Sequence, residues 1–284
     1  MSKPVVTIGI PMYNAEKTIG LCLKSILNSD YDISKVEIII IDNFSKDNSI
    51  KVAKTILSLS NVNYIILSYK GSVGFLRQII VNNASGKYII WIDSDAIISK
   101  DFIKRQVEFA EKNDVKLGAV LPIILPYNVE NPLARGIGYM WSLSTVRALL
   151  KKKTPFLGIL GALTPVKTIR EVGGFNIKLQ SGEDIDLFYR MQKLGYKIYV
   201  NPYAKIYHIM PTKLSQIATR AYRLSYYYHQ SKNFYLILQN TFDFIAAILR
   251  MFYCFKKFND YACATLPLIS VIEGIAKYLA AYFK

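Results

Sequence analysis

The sequence predicts an α/β fold: a mostly parallel, doubly wound central sheet flanked by helices, followed by a C-terminal apolar helical extension. Three observations predict it. Near-continuous apolar runs at 5–12, 36–42, 62–67 and 88–93 read as strands covered on both faces. Segments with helical spacing at 15–27, 46–57 and 73–84 separate them, and strand–helix alternation is the mark of a parallel sheet. From about residue 214 the alternation stops, and two long apolar stretches take over at 234–255 and 261–283. A chain of 284 residues can bury a full core. The change in character divides it into a domain at 1–213 and an extension at 214–284.

The elements follow in order. The first run ends in Pro11-Met12-Tyr13-Asn14. The second ends in Asp42-Asn43-Phe44-Ser45, with Ser45 placed to cap the helix after it. After the third comes Gly71-Ser72-Val73-Gly74, then a helix with Arg77 in its first turn. A glycine-flanked loop feeding a helix N-terminus favours an anion, and Arg77 adds a charge-assisted donor. The fourth run stops on Asp93-Ser94-Asp95. Residues 113–160 hold Pro122, Pro126, Pro132 and several glycines, and read as further strands and a loop. Lys151-Lys152-Lys153 reads as a solvated part of that loop. Order returns with a helix near 165–172, the Gly173-Gly174 break and a helix at 183–194. Short strands near 196–200 and 205–208 follow.

Composition narrows the partners. The chain is 52% hydrophobic, with a mean hydropathy of +0.21. Lysine and arginine outnumber acids 36 to 20, a net charge of +16, which points to an anionic partner. With no basic tract beyond 151–153 and no zinc-finger spacing, nucleic acid is set aside in favour of phosphorylated substrates or an acidic membrane. Cys22, Cys254 and Cys263 are odd in number and widely spaced, so neither a disulfide framework nor a metal site is expected and a reducing cytosolic setting fits. The run at 5–12 is too short for the core of a secretory leader, and Pro11 interrupts it.

The extension is basic, with 10 basic and 3 acidic residues over 204–284. Each apolar stretch has the roughly 20 residues that span a bilayer. Their polar residues are not scattered, however. Lys232, Gln239, Asp243, Arg250 and Lys257 share one helical stripe, as do Ser270, Glu273, Lys277 and Lys284. A narrow polar stripe beside a wide apolar face predicts a helix lying in the membrane interface. The alternatives are a spanning helix, or a hairpin packed on the first domain or on a second copy in a homodimer.

Three strand ends carrying polar groups converge on one edge of a parallel sheet, which makes a nucleotide-sized site with a metal at one end. Asp93 and Asp95 offer hard oxygen ligands suited to Mg²⁺ or Mn²⁺ shared with phosphates. In the helix that opens at Gly182, periodicity puts Glu183, Asp186, Arg190 and Lys193 on a polar stripe. Asp184 follows the apolar stripe of Leu187, Phe188, Met191 and Leu194. An acid on a buried stripe is costly unless it faces a cleft, so Asp184 is the candidate general base. His208 ends a short strand and is the candidate third metal ligand.

The ordered set Pro11-Met12-Tyr13-Asn14, Ile41-Asp42-Asn43-Phe44-Ser45, Gly74-Phe75-Leu76-Arg77, Asp93-Ser94-Asp95, Val172-Gly173-Gly174-Phe175, Gly182-Glu183-Asp184-Ile185-Asp186-Leu187 and His208 resembles the family 2 glycosyltransferases of GT-A fold. The resemblance covers roughly residues 4–210. It implies an inverting transferase that uses a nucleoside-diphosphate sugar, UDP- ahead of GDP- or dTDP-linked, with Mg²⁺ or Mn²⁺. Pro11 and Tyr13 would line the nucleoside pocket and Asp42 would hydrogen-bond the base. Arg77 would help hold the nucleotide. Asp93 would sit by the ribose and metal, Asp95 would ligate the metal, and His208 would add a ligand. Asp184 would deprotonate the acceptor hydroxyl.

Two departures stand out. Many relatives read Arg-Asn-x-Gly where this chain has Arg77-Gln78-Ile79-Ile80, and Ala15 replaces an acid that polyprenyl-phosphate-sugar synthases usually carry. The reading that follows is a transferase at the cytoplasmic face of the cell membrane, acting on a lipid-linked or membrane-bound glycan. Direct transfer to a polyprenyl phosphate is the enzymatic alternative. A sugar-nucleotide pyrophosphorylase would need a glycine-rich N-terminal loop that is not present. A catalytically inactive nucleotide-binding scaffold is the non-enzymatic alternative.

Overall fold

A computed structural model describes residues 5–113, 115–151, 158–228 and 235–282. Among them, eight strands form one sheet: β1 (Val6–Met12), β2 (Val36–Asp42), β3 (Asn63–Ser68), β4 (Tyr88–Trp91), β5 (Ala96–Ile98), β6 (Leu117–Pro126), β7 (Leu163–Pro165) and β8 (Lys197–His208). Their order is β3-β2-β1-β4-β7-β6-β8-β5. The first four are parallel, as the strand–helix alternation predicts. β7 then runs antiparallel to β4, and β5 antiparallel to β8. The helices α1 (Ile19–Leu27), α2 (Ser49–Leu57), α3 (Val73–Asn83) and α4 (Phe102–Lys112) alternate with these strands, α5 (Pro132–Lys151) follows β6 in the chain, and α6 (Val166–Glu171) and α7 (Glu183–Lys193) come between β7 and β8.

The core gathers where α3, α6 and α7 meet the sheet, around Ile39, Ile41, Ile80, Trp91, Phe175, Leu187 and Met191. The indole of Trp91 donates from Nε1 to Thr164 Oγ1 at 2.9 Å, so its one polar atom is satisfied inside. Phe175 meets the same ring edge-on, 5.2 Å between centroids. Gly9 permits this packing, because a Cβ there would stand 2.8 Å from Ile80 Cγ2 and 3.2 Å from Trp91.

Several elements depart from the sequence reading. β3 is an edge strand and largely exposed rather than covered on both faces. α1 and α2 begin later than periodicity indicates, because the residues before them bond to side chains instead. Ala15 N donates to Ser49 Oγ at 2.6 Å, and Glu16 N to Asp47 Oδ2 at 3.0 Å. Ser45 does not cap α2; it bonds to Asp42. The two short strands expected at 196–208 are one continuous strand, β8. Within 113–160, β6 is a strand as expected, whereas Pro132–Lys151 form the 20-residue helix α5 rather than a loop. Pro132 opens α5 at the position where its missing N–H costs nothing. Asn131 Oδ1 accepts from Leu133 N and Ala134 N at 3.0 and 3.1 Å. Of the lysine run, Lys151 ends α5, while Lys152 and Lys153 lie outside the described residues.

The chain forms two compact units, 1–124 with 147–208, and 125–146 with 209–284. The second unit contains α8 (Leu214–Tyr228), α9 (Tyr235–Phe258) and α10 (Thr265–Tyr282). Composition places a boundary at 213/214; the chain crosses at 208/209, and the second unit also takes in residues 125–146. The glycines that read as loop signals serve packing there. A Cβ on Gly136 would stand 1.9 Å from Thr265 Oγ1, and one on Gly138 would stand 2.4 Å from Pro126.

The turn between α9 and α10 is tied by side chains. Asp260 accepts from Arg135 Nε at 2.9 Å, Tyr139 Oη at 2.7 Å and Ala262 N at 2.8 Å. Tyr139 stacks on Phe258 with centroids 4.3 Å apart. Cys254 and Cys263, both buried, form a disulfide across the turn. This corrects the cysteine reading: spacing alone hides a pair that the helical turn brings to a Cα separation of 5.7 Å. The case for a reducing setting loses its support, and Cys22 is the free, buried cysteine among the described residues. No described helix is long and apolar enough to cross a membrane.

The loop closed by the disulfide has a sequence separation of 9, which corresponds to about 2.5 kcal/mol of chain entropy. Replacing both Cys254 and Cys263 with serine lowers unfolding stability by about that amount in denaturant titration. A change under about 0.5 kcal/mol contradicts this account of the turn.

Candidate functional site

Register decides which loops meet. Met12 pairs with Asp42, Asp42 with Ser68, and Gly9 with Trp91. The loops after β1, β2, β3 and β4 therefore leave from one edge, where open α/β sheets bind ligands. Pairing of β5 with β8 sets Ala96 opposite His208, bringing the histidine beside the acid pair. One ligand atom each from Asp93, Asp95 and His208 lies within 4.8 Å of the others. His208 Nε2 is 3.3 Å from Asp95 Oδ1. Both carboxylates are partly exposed and the imidazole is buried. Two hard carboxylates and one imidazole, open to solvent on one side, fit Mn²⁺ or Mg²⁺ with coordination positions left for phosphate oxygens.

Arg77 does not face the solvent. It is buried, donates to Glu183 through Nη1, and reaches Asp93 Oδ1 from Nη2 at 3.3 Å. Arg77, expected to help hold the nucleotide, links the acid pair to α7. Glu183, assigned by periodicity to a polar stripe, is instead the buried acid of that helix, only 4% exposed. Arg77 supplies a partner that helical periodicity cannot register. Gly74 lets the two helices approach: a Cβ there would stand 2.9 Å from Glu183 Cβ. Burial pushes the Glu183 carboxyl above the usual carboxylate range, with Arg77 pulling the other way.

Asp184, the next residue, is only partly buried. Gly182, left-handed at φ 78°, starts α7 just before it. Asp184 Oδ1 accepts from Ile185 N at 2.8 Å, and Oδ2 from Ile159 N at 3.3 Å. These bonds orient a carboxylate that still reaches solvent. Gln78 also acquires a purpose. Its Oε1 accepts from Phe175 N at 2.7 Å and so holds the Gly173-Gly174 turn against α3.

Tyr13 is exposed and lines an open cleft of about 670 Å³ with Asn43, Phe44, Lys46, Lys70, Gly71, Ser72 and Gln180. That volume suits a small ligand. Asn43 pins the two sides together: its Nδ2 donates to Gly71 O at 3.2 Å, and its Oδ1 accepts from Gly71 N at 3.1 Å. Phe44 adopts a left-handed φ of 56°, rare for an aromatic residue, and its ring is exposed. Pro11 is half-buried near the end of β1. Asp42, expected to meet a base, is fully buried. Its carboxylate accepts from Ser45 N at 3.0 Å and Ser45 Oγ at 2.5 Å, which shapes the turn carrying Phe44. Sequence reasoning therefore finds Asp93, Asp95, His208, Asp184 and Tyr13 at this edge. It misses Phe44, Lys46, Lys70, Gln180 and Glu183. An aromatic residue in an otherwise polar loop is the signal for Phe44; Gln180 has none.

Residues 7–163 match the family described as Glycosyl transferase family 2, and residues 88–283 match Glycosyl transferase family group 2. A Methanococcus voltae protein named dolichyl N-acetyl-alpha-D-glucosaminyl phosphate 3-beta-D-2,3-diacetamido-2,3-dideoxy-beta-D-glucuronosyltransferase is 28% identical over 207 residues. The match takes in 69% of this chain and 64% of that protein, so the chain spans less than two thirds of its relative. Among solved structures, the mannosyltransferase PcManGT from Pyrobaculum calidifontis, in complex with GDP-Man and Mn²⁺, superposes with a TM-score of 0.61 at 18% identity. The superposition covers 99% of this chain and 76% of that one. Staphylococcus aureus TarS 1–349 with UDP-GlcNAc gives a TM-score of 0.56 at 16% identity, covering 80% and 68%. At such identities the likeness shows the fold alone, and that fold is GT-A.

Asp95→Ala removes one of the three converging side chains from a half-exposed position. It lowers Mn²⁺ affinity by more than about 100-fold in calorimetric titration, beyond the range usual for outer-shell changes. Its unfolding midpoint stays near that of the unaltered chain. Mn²⁺ binding that survives the change would place the cation elsewhere.

Proposed function

The chain belongs to glycosyl transferase family 2, and we propose that it is an inverting, metal-dependent transferase that moves a sugar from a nucleoside-diphosphate sugar to a hydroxyl of a lipid-linked or membrane-bound glycan. The observation that carries this reading is the convergence of Asp93, Asp95 and His208 within 4.8 Å on the sheet edge that also bears the aromatic and lysine-lined cleft. Tyr13 and Phe44 offer faces on which a base can stack, and Lys46 and Lys70 offer positive charge to phosphates. A cation held by Asp93, Asp95 and His208 would neutralise charge on the departing diphosphate. Asp184 takes the proton from the acceptor hydroxyl while its bonds from Ile159 N and Ile185 N hold its direction. The hydroxyl oxygen bonds to the anomeric carbon as the bond to the diphosphate breaks on the opposite side.

The structural neighbours hold UDP-GlcNAc in one case and GDP-Man with Mn²⁺ in the other, so the base is a matter for experiment, with UDP first. The lipid-linked acceptor is supported by the printed name of the Methanococcus voltae relative. Membrane association is supported by the surface of the second unit. α9 exposes Leu249, Phe252 and Tyr253 beside exposed Arg250, Lys256 and Lys257. α10 exposes Leu268, Val271, Ile275 and Leu279 at helical spacing. An apolar face edged with basic residues suits the interface of an anionic leaflet, the condition at the cytoplasmic face. Pairing of two copies through this face is the competing use.

The test is a donor panel of UDP-, GDP- and dTDP-sugars with Mn²⁺, with and without a membrane lipid extract, reading release of nucleoside diphosphate. Metal-dependent release from one donor, raised by the extract, is the expected result. No release from any donor while nucleotide still binds would favour the inactive scaffold. With the active donor, Asp184→Asn lowers kcat by about 10²–10⁴-fold and leaves donor KM nearly unchanged. Wild-type turnover in that variant would remove Asp184 from the mechanism.

A further inference from the structure

Arg77 stands between two acids that belong to different parts of the site. Its Nη1 bonds Glu183 at the start of α7, and its Nη2 lies 3.3 Å from Asp93 Oδ1 in the loop after β4. Both Arg77 and Glu183 are more than nine-tenths buried, so water screens neither well. A guanidinium stays charged at any working pH. A lone buried cation touching Asp93 would repel a divalent ion bound to the same carboxylate. We propose that Glu183 is a charge-balancing partner that allows Arg77 to orient Asp93 without opposing a divalent cation at Asp93, Asp95 and His208. This rests on the cation reading given above and adds a positioning pair, Arg77 and Glu183, which needs no contact with donor or acceptor.

The bookkeeping of charge is simple. With His208 neutral, Asp93, Asp95, Glu183 and Arg77 together carry two net negative charges, which match a divalent ion. Without Glu183 only one remains, and the nearest charge to Asp93 becomes unopposed. Removing both members of the pair restores the balance. A buried ion pair is costly to break on one side and often neutral to remove whole. The absence of a Cβ at Gly74 is the packing counterpart, because it lets Glu183 come close enough to α3 to serve Arg77.

The experiment is direct Mn²⁺ titration, by calorimetry and by the electron paramagnetic resonance of free Mn²⁺, on the full chain and on E183Q and the double variant R77M/E183Q. Circular dichroism melts accompany each. The expected result is Mn²⁺ binding weakened at least 10-fold in E183Q and restored to within 3-fold of the unaltered chain in the double variant. A purely structural pair predicts the same recovery in the melts without a matching change in Mn²⁺ affinity, so a double variant that melts normally yet binds Mn²⁺ no better than E183Q overturns the proposal. So does a folded E183Q that binds Mn²⁺ as tightly as the unaltered chain. If E183Q does not fold, the double variant decides alone: binding within 3-fold supports charge balance, and binding weakened more than 10-fold overturns it. An unaltered chain that binds no Mn²⁺ brings down the cation reading and this inference together. Loss of the effect in E183Q alone brings down only the inference.

Discussion

Parallel pairing of β1 with β2 and β4, in the registers Met12 to Asp42 and Gly9 to Trp91, obliges the loops after these strands to leave from one edge. The register in turn depends on close packing behind it. α3 lies so near β1 that Gly9 has no room for a side chain against Ile80 and Trp91. The same helix brings Arg77 to that edge, and α7 brings Glu183 and Asp184. A slip of one residue in β1 would turn its buried side chains to the opposite face and carry the site apart. The functional edge and the core are therefore consequences of a single alignment.

Polar groups near this edge divide by accessibility. Asp42 and Arg77 are buried, and each is consumed by structure: Asp42 shapes the turn that exposes Phe44, and Arg77 ties Asp93 to α7. Asp93, Asp95 and Asp184 keep access to solvent. Burying a charge is costly unless it is paired and bonded, so the buried members of the set come with their partners. The accessible carboxylates are the ones the proposed mechanism uses. Asp93 among them is held by a buried group, Arg77, that has a partner of its own.

Much of this was legible in the residues. Apolar runs stopping on Tyr13, Asp42 and Asp93 announce parallel strands with polar ends, and α6 and α7 follow from their own periodicity. What escaped has physical causes. α5 was obscured by Pro132, Gly136 and Gly138, since proline at a helix start and glycine at a close helix contact look like loop residues in one dimension. Glu183 was misplaced because periodicity assigns a face without knowing that Arg77 waits on it. The pairing of Cys254 with Cys263 needed the turn after α9, and antiparallel β7 is too short to give a pattern. The bond from Ser45 to Asp42 escapes a linear reading because a strand-end aspartate has the same signature whether or not it also caps its own loop.

The claim on which the account turns is a single displacement at the anomeric carbon, with Asp184 as the base and the diphosphate leaving from the opposite face. Its most direct test is the anomeric configuration of the first-formed product, read by proton NMR from the donor the protein consumes with Mn²⁺ present. One displacement predicts a configuration opposite to that of the donor. A product that keeps the donor's configuration would contradict the account, because one displacement from the face opposite the leaving group must invert the anomeric carbon.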